Sequence, residues 1–586
     1  LLVRNGGNDM WTHNARFMDP ALETIIQRSG LDVDVQSYQP VIEYVNGELR
    51  GVLNLREPNN DDFAYANFGY DDEELDAFEN MKMKNGDDEV INRIFELGRN
   101  ATDEAAYNEL KTLLDIDEFT NYMAVTMFLD NDDWPNNNIK AYRSRNDGRY
   151  RFVSFDLDYA FALRNFNKND DNPFSYFLQF KDNTKINGEG NANREIVRLL
   201  LNLLGRDDYR RKFIDTFSLI AGSVFEPTRA GMIVDELLAN VQQMCQLMKQ
   251  QGINDGHDPD RAANTIKNKL QGRAKKMAGH LKGFSYAQLS EDAKAVKLKT
   301  DTDGARLYVN GLEVPYADFD GYLFAPVELK ATAPAGYKFV GWKKGNATYS
   351  SDETIKLPNE NNITMTATFT KLSDSELAAQ GMTPVRINEV SAANGIHVNE
   401  YFKRNDWVEL YNTTDQPIDV EGMYLSDNAK KPQKYQIGKG ESVASTIIPA
   451  HGYLVVWCDK LEPQSQLHAS FKLDADGGDV LLTAADESWT DVLTYTVHNE
   501  DQTVGRYPDG SNQVFVMNVP TIAKTNITSS YALNISDGPS TGISEHMMTP
   551  RQDNQQIYNL NGQVVNGALA PGIYIKNGRK FVVTRK

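Results

Sequence analysis

Between residues 128 and 161 the chain reads FLDNDDWPNNNIKAYRSRNDGRYRFVSFDLDYAF, and four side chains in this stretch have chemistry that can converge. Asp133 stands five residues before Asn138, with Asn136 and Asn137 between them. Asp156 and Asp158 follow on what reads as a strand over 150–158. Side chains alternate along a strand, so Ser154, Asp156 and Asp158 are expected on one face and Val153, Phe155, Leu157 and Tyr159 on the other. Carboxylate and amide oxygens are the ligands a hard cation such as Mg2+ takes. A carboxylate beside a hydroxyl also orients it and accepts its proton. The plainer reading is that Asn, Asp and Pro clusters make turns and that acids cap helices.

Three elements must position these groups. An apolar helix over 116–129, with Phe119, Tyr122, Met123, Met127 and Phe128 at helical spacing, delivers the chain to the acidic loop. A short strand over 139–143 follows, and Asn146, Asp147 and Gly148 give the turn of a hairpin. Helix, Asp-x-x-x-x-Asn loop, hairpin and a later Asp is the order of a protein-kinase active site. There the first Asp accepts the hydroxyl proton, and the Asn and later Asp hold Mg2+ on the nucleotide phosphates.

NDDWPNNN and RYRFVSFDLDYAF, together with LVRNGG at 2–7 and VNGELRGVLNLRE at 45–57, resemble the signature of the spore-coat protein H (CotH) kinase family. The resemblance covers about the first half of the chain. It implies an α+β atypical protein-kinase-like fold that uses ATP and Mg2+ and transfers phosphate to Ser of a protein substrate. By the same match Asp133 is the catalytic Asp, Asn138 and Asp156 are metal ligands, and Asp158 is a third. Glu57, at the end of the second quoted segment, is expected beside the nucleotide at the hinge. The departure is at the front, where the family's earlier segment with its nucleotide-contacting basic residues is missing. The chain opens at Leu1 inside an apparent strand and is read as lacking its natural N-terminus.

At 586 residues, and about 150 residues per domain, the expectation is about four domains. A net charge of -21 argues against a nucleic-acid partner, which calls for a basic patch. Two cysteines, Cys245 and Cys458, do not make a disulfide framework. No apolar run reaches the roughly 18 residues of a transmembrane segment. No GxSxG, HExxH or GxxxxGK[ST] occurs, and no barrel pattern supports glycoside hydrolysis.

The first domain is expected over 1–290. It opens with a helix over 20–29 capped by Asp19, and strands over 41–45 and 52–55 joined by Asn46-Gly47. An acidic, irregular insertion is expected over 59–89. Helices are expected over 102–114, 116–129, 193–205, 207–225, 228–249 and 258–281, and a polar loop after Phe161. His257 and His280 have no second ligand type at metal spacing in the sequence and read as structural. The segment 295–372, with GYKFVGWKKG and ITMTATFTK, is similar to the internalin-type β-repeat of bacterial surface proteins, with Trp342 as a core anchor. A short helical linker is expected over 373–380.

The segment 385–526, with INEV, DWVELYN and IIPAHGYLVVW, resembles the lamin-tail domain, an immunoglobulin-like β-sandwich. Asp406, Trp407 and Glu409 read as its fold signature, and Asp474, Asp476 and Asp479 as a β-turn rather than a calcium loop. A Ser-, Thr- and Gly-rich linker is expected over 527–554. The end, 555–586, resembles the C-terminal sorting tail of proteins exported by the Bacteroidetes type IX pathway. The reading is therefore a secreted or cell-surface protein kinase. The alternative is a surface binding or scaffolding protein, contacting a cell-surface component, whose kinase-like domain is idle.

Overall fold

In a computed structural model of the chain, the described residues are 2–7, 9, 15–146, 148–162, 172–182, 185–186, 189–190, 193–253, 256–438, 445–460, 467–526, 531–534, 557–559, 564–565, 572–576 and 579–583. The loop expected after Phe161 lies largely outside them, as does Asp147.

The N-terminal region carries eight strands that matter for the site: β1 (Leu2–Arg4), β2 (Asp34–Val35), β3 (Tyr38–Val45), β4 (Glu48–Arg56), β5 (Leu75–Glu79), β6 (Lys82–Asn85), β7 (Lys140–Ser144) and β8 (Arg151–Ser154). One sheet has the order β1-β4-β3, and Asn46 and Gly47, both at positive φ, close the β3–β4 hairpin as the Asn-Gly signal predicts. The other has the order β2-β8-β7-β5-β6, antiparallel except where β2 runs parallel to β8. The segment expected as an irregular insertion thus supplies β5, an inner strand, and the helix Asp61–Phe68. Leu75, Asp76, Ala77 and Phe78 are all buried. The acids flanking this short apolar run hid it from a reading based on charge.

Helices form the rest of the domain. Twelve of the fourteen residues of Ile116–Leu129 are buried, as an all-round apolar helix requires. Its buried Glu118 accepts the N–H of Phe152 at 2.9 Å, which fixes β8 against the helix. The helices expected after residue 193 are present as Arg194–Leu203, Asp207–Leu219, Pro227–Gln250, Pro259–Leu270 and Arg273–Gly283. The last two are separate because Gly272 adopts φ 67° between them.

Strands from Lys294–Thr300 to Ile363–Lys371 form five- and four-stranded sheets around a core that includes Trp342, which is fully buried and donates to Glu353 O at 3.1 Å. A capped helix, Asp374–Ala379, leads to a sandwich of a seven-stranded and a four-stranded sheet. Asp474 begins a turn, its carbonyl accepting from Gly477 at 3.1 Å. Tyr531–Asn534 pairs with Val514–Met517 at the edge of the larger sheet, so the segment expected as linker contributes a strand.

Leu1–Ser536 is one compact unit and Asp537–Lys586 a second, which holds a four-stranded antiparallel sheet. Within the first unit the three domains are in contact. Tyr507 donates to Glu313 at 2.8 Å, Arg306 lies 3.6 Å from Asp509, and Arg211 donates to the Phe324 carbonyl at 2.8 Å.

Candidate functional site

The helix Ile116–Leu129 ends at Asp130, whose left-handed backbone (φ 53°) turns the chain into the loop over 131–138. Trp134 anchors that loop. Its indole N–H donates to the Tyr122 hydroxyl at 2.9 Å, and its ring stacks on Phe177 at 5.6 Å. Asp133 Oδ2 receives Asn138 Nδ2 at 3.4 Å and Asn137 Nδ2 at 3.5 Å, both long enough to be weak. Asn138 is buried with φ 60°, a conformation Asn tolerates better than most residues. Asn131 accepts from the Asp133 N–H at 3.2 Å and donates to the Asp156 carbonyl at 3.2 Å. It therefore ties the two acidic segments together.

Asp156 and Asp158 do not share a strand face. β8 ends at Ser154, Asp156 has φ 58°, and Leu157–Ala162 forms a kinked 3-10 turn. The turn, not the pleat, brings the two acids to one cation. Arg4, at the end of β1, is ion-paired with Asp156, lies 4.0 Å from Asp158 Oδ2 and lies 3.4 Å from Asp19. The Gly6-Gly7 loop crosses here. At Gly7 (φ 52°) a Cβ would stand 2.9 Å from both Asp158 Oδ2 and the Arg4 guanidinium.

Asp19 was expected to cap the first helix. The helix instead spans Met18–Arg28, and Asp19 sits buried in its first turn. It accepts from Arg56 at 2.9 Å and from the Leu157 N–H at 2.8 Å. The capping role falls to Asp9, which accepts from Phe17 N–H at 2.7 Å and Met18 N–H at 2.8 Å. Arg56, the last residue of β4 and almost fully buried, also pairs with Glu23 at 2.6 Å. Basic residues thus face the acids. Arg4, Glu23, Arg56 and Asn131 were not singled out. The available signal for Arg4 and Arg56 was a guanidinium at the end of each of two apolar strands inside the quoted motifs.

Glu57 is placed elsewhere. One carboxylate oxygen accepts from the Ser37 N–H at 3.0 Å and the other from Asn67 at 3.4 Å, which fastens the end of β4.

Burial works to raise the Asp19 carboxyl, but Arg56 and Arg4 win and hold it below the ordinary range. Asp156 goes the other way. Burial pushes it up against the pull of Arg4, with Asp19 and Asp133 as like-charged neighbours. Arg4 itself is held more firmly protonated, Asp19 and Asp156 outweighing its burial. One guanidinium is shared among several carboxylates and cannot hold all of them down. Burial also keeps Glu23 well above the usual range.

The oxygen-only donor set of Asp156, Asp158 and Asn138 suits Mg2+. Among the described residues no group of three or more His, Cys, Asp or Glu side chains forms a ready metal cage, and Arg4 bridges the two Asp residues.

An α+β domain with this loop, hairpin and acid turn is kinase-like. Residues 6–277 match the family described as CotH kinase protein, 325–373 the divergent InlB B-repeat domain, and 382–497 the lamin tail domain. The chain therefore carries a CotH-type domain followed by a B-repeat and a lamin tail domain. The sheets of the two β domains extend beyond the matched segments, starting at Lys294 and running on to Asn534. The chain is also similar to a solved structure described as that of a DUF4876 family protein from Bacteroides thetaiotaomicron VPI-5482. The two are 9% identical, 39% of this chain and 80% of that chain are covered, and the TM-score is 0.13, at which the likeness carries no argument. No curated protein matches.

Proposed function

We propose that the CotH-type domain binds Mg-ATP at the acid cluster and transfers the γ-phosphoryl group to a Ser hydroxyl of a protein, the whole chain being exported to the cell surface or medium. The observation that carries this reading is the union of two acidic segments. Asn131 joins the Asp133 loop to the Asp156 turn, and Asp19, Asp156 and Asp158 gather around Arg4. Carboxylates gathered in this way attract a divalent cation. Asp156 and Asp158, with Asn138, would hold Mg2+, which when bound neutralises phosphate charge and orients the nucleotide.

In the transfer a bond forms between Ser Oγ and the γ-phosphorus while the bridging P–O bond breaks and ADP leaves. Asp133 orients the hydroxyl and accepts its proton. Asn137 and Asn138 hold the Asp133 carboxylate in place by weak hydrogen bonds. Arg4, which pairs with Asp156, would supply positive charge toward a bound phosphate.

The second reading, a surface binding protein with an idle kinase-like domain, is favoured by the same Arg4 contact, which already occupies Asp156. Calorimetric titration with Mg-ATP and transfer of labelled phosphate separate the two. We expect Asp156→Asn to weaken Mg-dependent nucleotide binding. We expect Asp133→Asn to leave binding within about threefold and to slow transfer about 100-fold, or about 2.7 kcal/mol of barrier. Failure of the full-length natural protein to bind Mg-ATP would overturn the kinase reading in favour of the idle one.

A further inference from the structure

The helix Asp61–Phe68 lies between the acid turn and the lamin tail domain. On its inner side Phe63 and Ala64 are buried with Leu75, Ala77, Tyr142 and Val153, and Phe68, Tyr70 and Phe155 pack against them. Phe63 meets Phe68 edge-on at 5.9 Å and Tyr142 at 6.0 Å, and Phe68 meets Tyr70 at 5.4 Å. Val153 and Phe155 flank Ser154, the last residue of β8, and lead directly into Asp156. This aromatic cluster thus sets the point from which the acid turn departs.

The outer side meets a loop of the lamin tail domain. Arg404 donates to the Tyr65 carbonyl at 3.1 Å, and its guanidinium lies 4.2 Å over the Tyr65 ring. Gly69 ends the helix in the left-handed region (φ 76°), so close to Gly395 that a Cβ there would stand 2.3 Å from the Gly395 carbonyl oxygen. Side chains are excluded at Gly69 both by conformation and by this approach. Burial pushes the neighbouring Tyr70 hydroxyl above its ordinary range, and the lamin tail carboxylate of Asp501 adds to that push.

The loop is stiffened from within. Asn394 donates to the carbonyls of His397 at 2.6 Å and Asn405 at 2.9 Å, and Asn399 Oδ1 accepts from the Lys403 N–H at 3.0 Å. Glu400 is held at 2.9 Å by the buried His468, whose other ring nitrogen meets Asp459 at 2.7 Å. A loop fixed in this way transmits force to its neighbour instead of yielding.

We infer that the lamin tail domain is a positioning element of the acid site. Its loop over 394–405, with Arg404 as the positioning residue, holds the helix Asp61–Phe68 and through the aromatic cluster the end of β8 that carries Asp156. The functional consequence rests on the kinase reading above, whereas the mechanical coupling does not.

Hydrogen–deuterium exchange on the whole chain tests it without nucleotide. Arg404→Ala is expected to speed exchange roughly tenfold both at 61–70 and at 151–155, and to leave the helices Arg194–Leu203 and Asp207–Leu219 unchanged. Tyr65→Ala, which keeps the carbonyl and loses the ring, is expected to act at the same peptides, and the double variant to add little beyond either single one. Arg404→Lys restores only part of the protection, because an ammonium does not stack as a flat guanidinium does. Unchanged exchange at 151–155 in Arg404→Ala would overturn the inference. If those peptides respond while the full-length natural protein binds no Mg-ATP, the coupling stands and the kinase reading falls.

Discussion

Arg4 decides what the acid turn can do, because it is the cation that Asp156 and Asp158 already share. Buried acids elsewhere in the chain are held differently. Glu389 and Glu409 lie in the lamin tail core with Asp509 beside them. Glu389 accepts from Thr503 at 2.5 Å and from the Thr521 hydroxyl at 2.6 Å, and Asn388 bridges Glu409 and Asp509 at 3.0 Å each. Burial outweighs these bonds and pushes Glu389 up to about 7 from 4.5. Its folded value lies above its unfolded one, so the neutral form favours the fold. That contribution is complete below about pH 4.5 and is lost as pH rises through about 7, a change of about 3 kcal/mol. Chemical denaturation should therefore give a lower midpoint at pH 8 than at pH 5, and Glu389→Gln should flatten the profile. Equal midpoints in the wild-type chain at the two pH values would refute the assignment.

At the scale of elements, one contact holds both segments of the site. Arg273 opens the helix Arg273–Gly283, is nearly fully buried, and donates to the Phe128 carbonyl through Nε at 2.8 Å and Nη2 at 2.6 Å. Its guanidinium lies 5.3 Å from the Phe128 ring and 5.0 Å from that of Phe161. Phe128 ends the buried helix and Phe161 belongs to the acid turn, so a single cation sits at a helix C-terminus, where the dipole favours it, and braces the turn as well. Arg273→Met keeps volume and loses charge and both donors. We expect a loss of about 2–4 kcal/mol in urea unfolding. A loss under about 0.5 kcal/mol, within the range of an ordinary surface substitution, would show that the contact does not hold the site together.

For the molecule as a whole, the proposal of export rests on the B-repeat, the lamin tail domain and the C-terminal segment. No helix among the described residues is long and apolar enough to cross a membrane. The C-terminal unit has its own small antiparallel sheet, with Gly572–Lys576 between Ile557–Asn559 and Arg579–Val583, and so has the strand content of a separate tail module. Deleting 555–586 should leave the protein inside the cell envelope when it is expressed in its native background, as read by surface protease accessibility. Undiminished surface exposure of the shortened chain would rule out a sorting role for the tail.

By itself the sequence determined the order of domains, the apolar helix before the acidic loop, the hairpin after it and the helices beyond residue 193. Periodicity and turn residues are local properties, and the chain carries them wherever it is cut. It also marked Asp133, Asn138, Asp156 and Asp158 as a chemically coherent set. Tertiary structure alone decided how that set is assembled. The pleat argument failed at Asp156 because φ 58° ends the strand, and the acids meet through a turn braced by Asn131, Asp19 and Arg4. Asp19 reads as a cap in one dimension and becomes a buried acid because Arg56, thirty-seven residues away, arrives on another strand. The inner strand Leu75–Glu79 was hidden by flanking acids, and the contact of Arg404 with Tyr65 joins residues 339 positions apart. Partners at such separations leave no trace in local periodicity, because each pairing is fixed by which surfaces the finished fold brings within hydrogen-bonding reach.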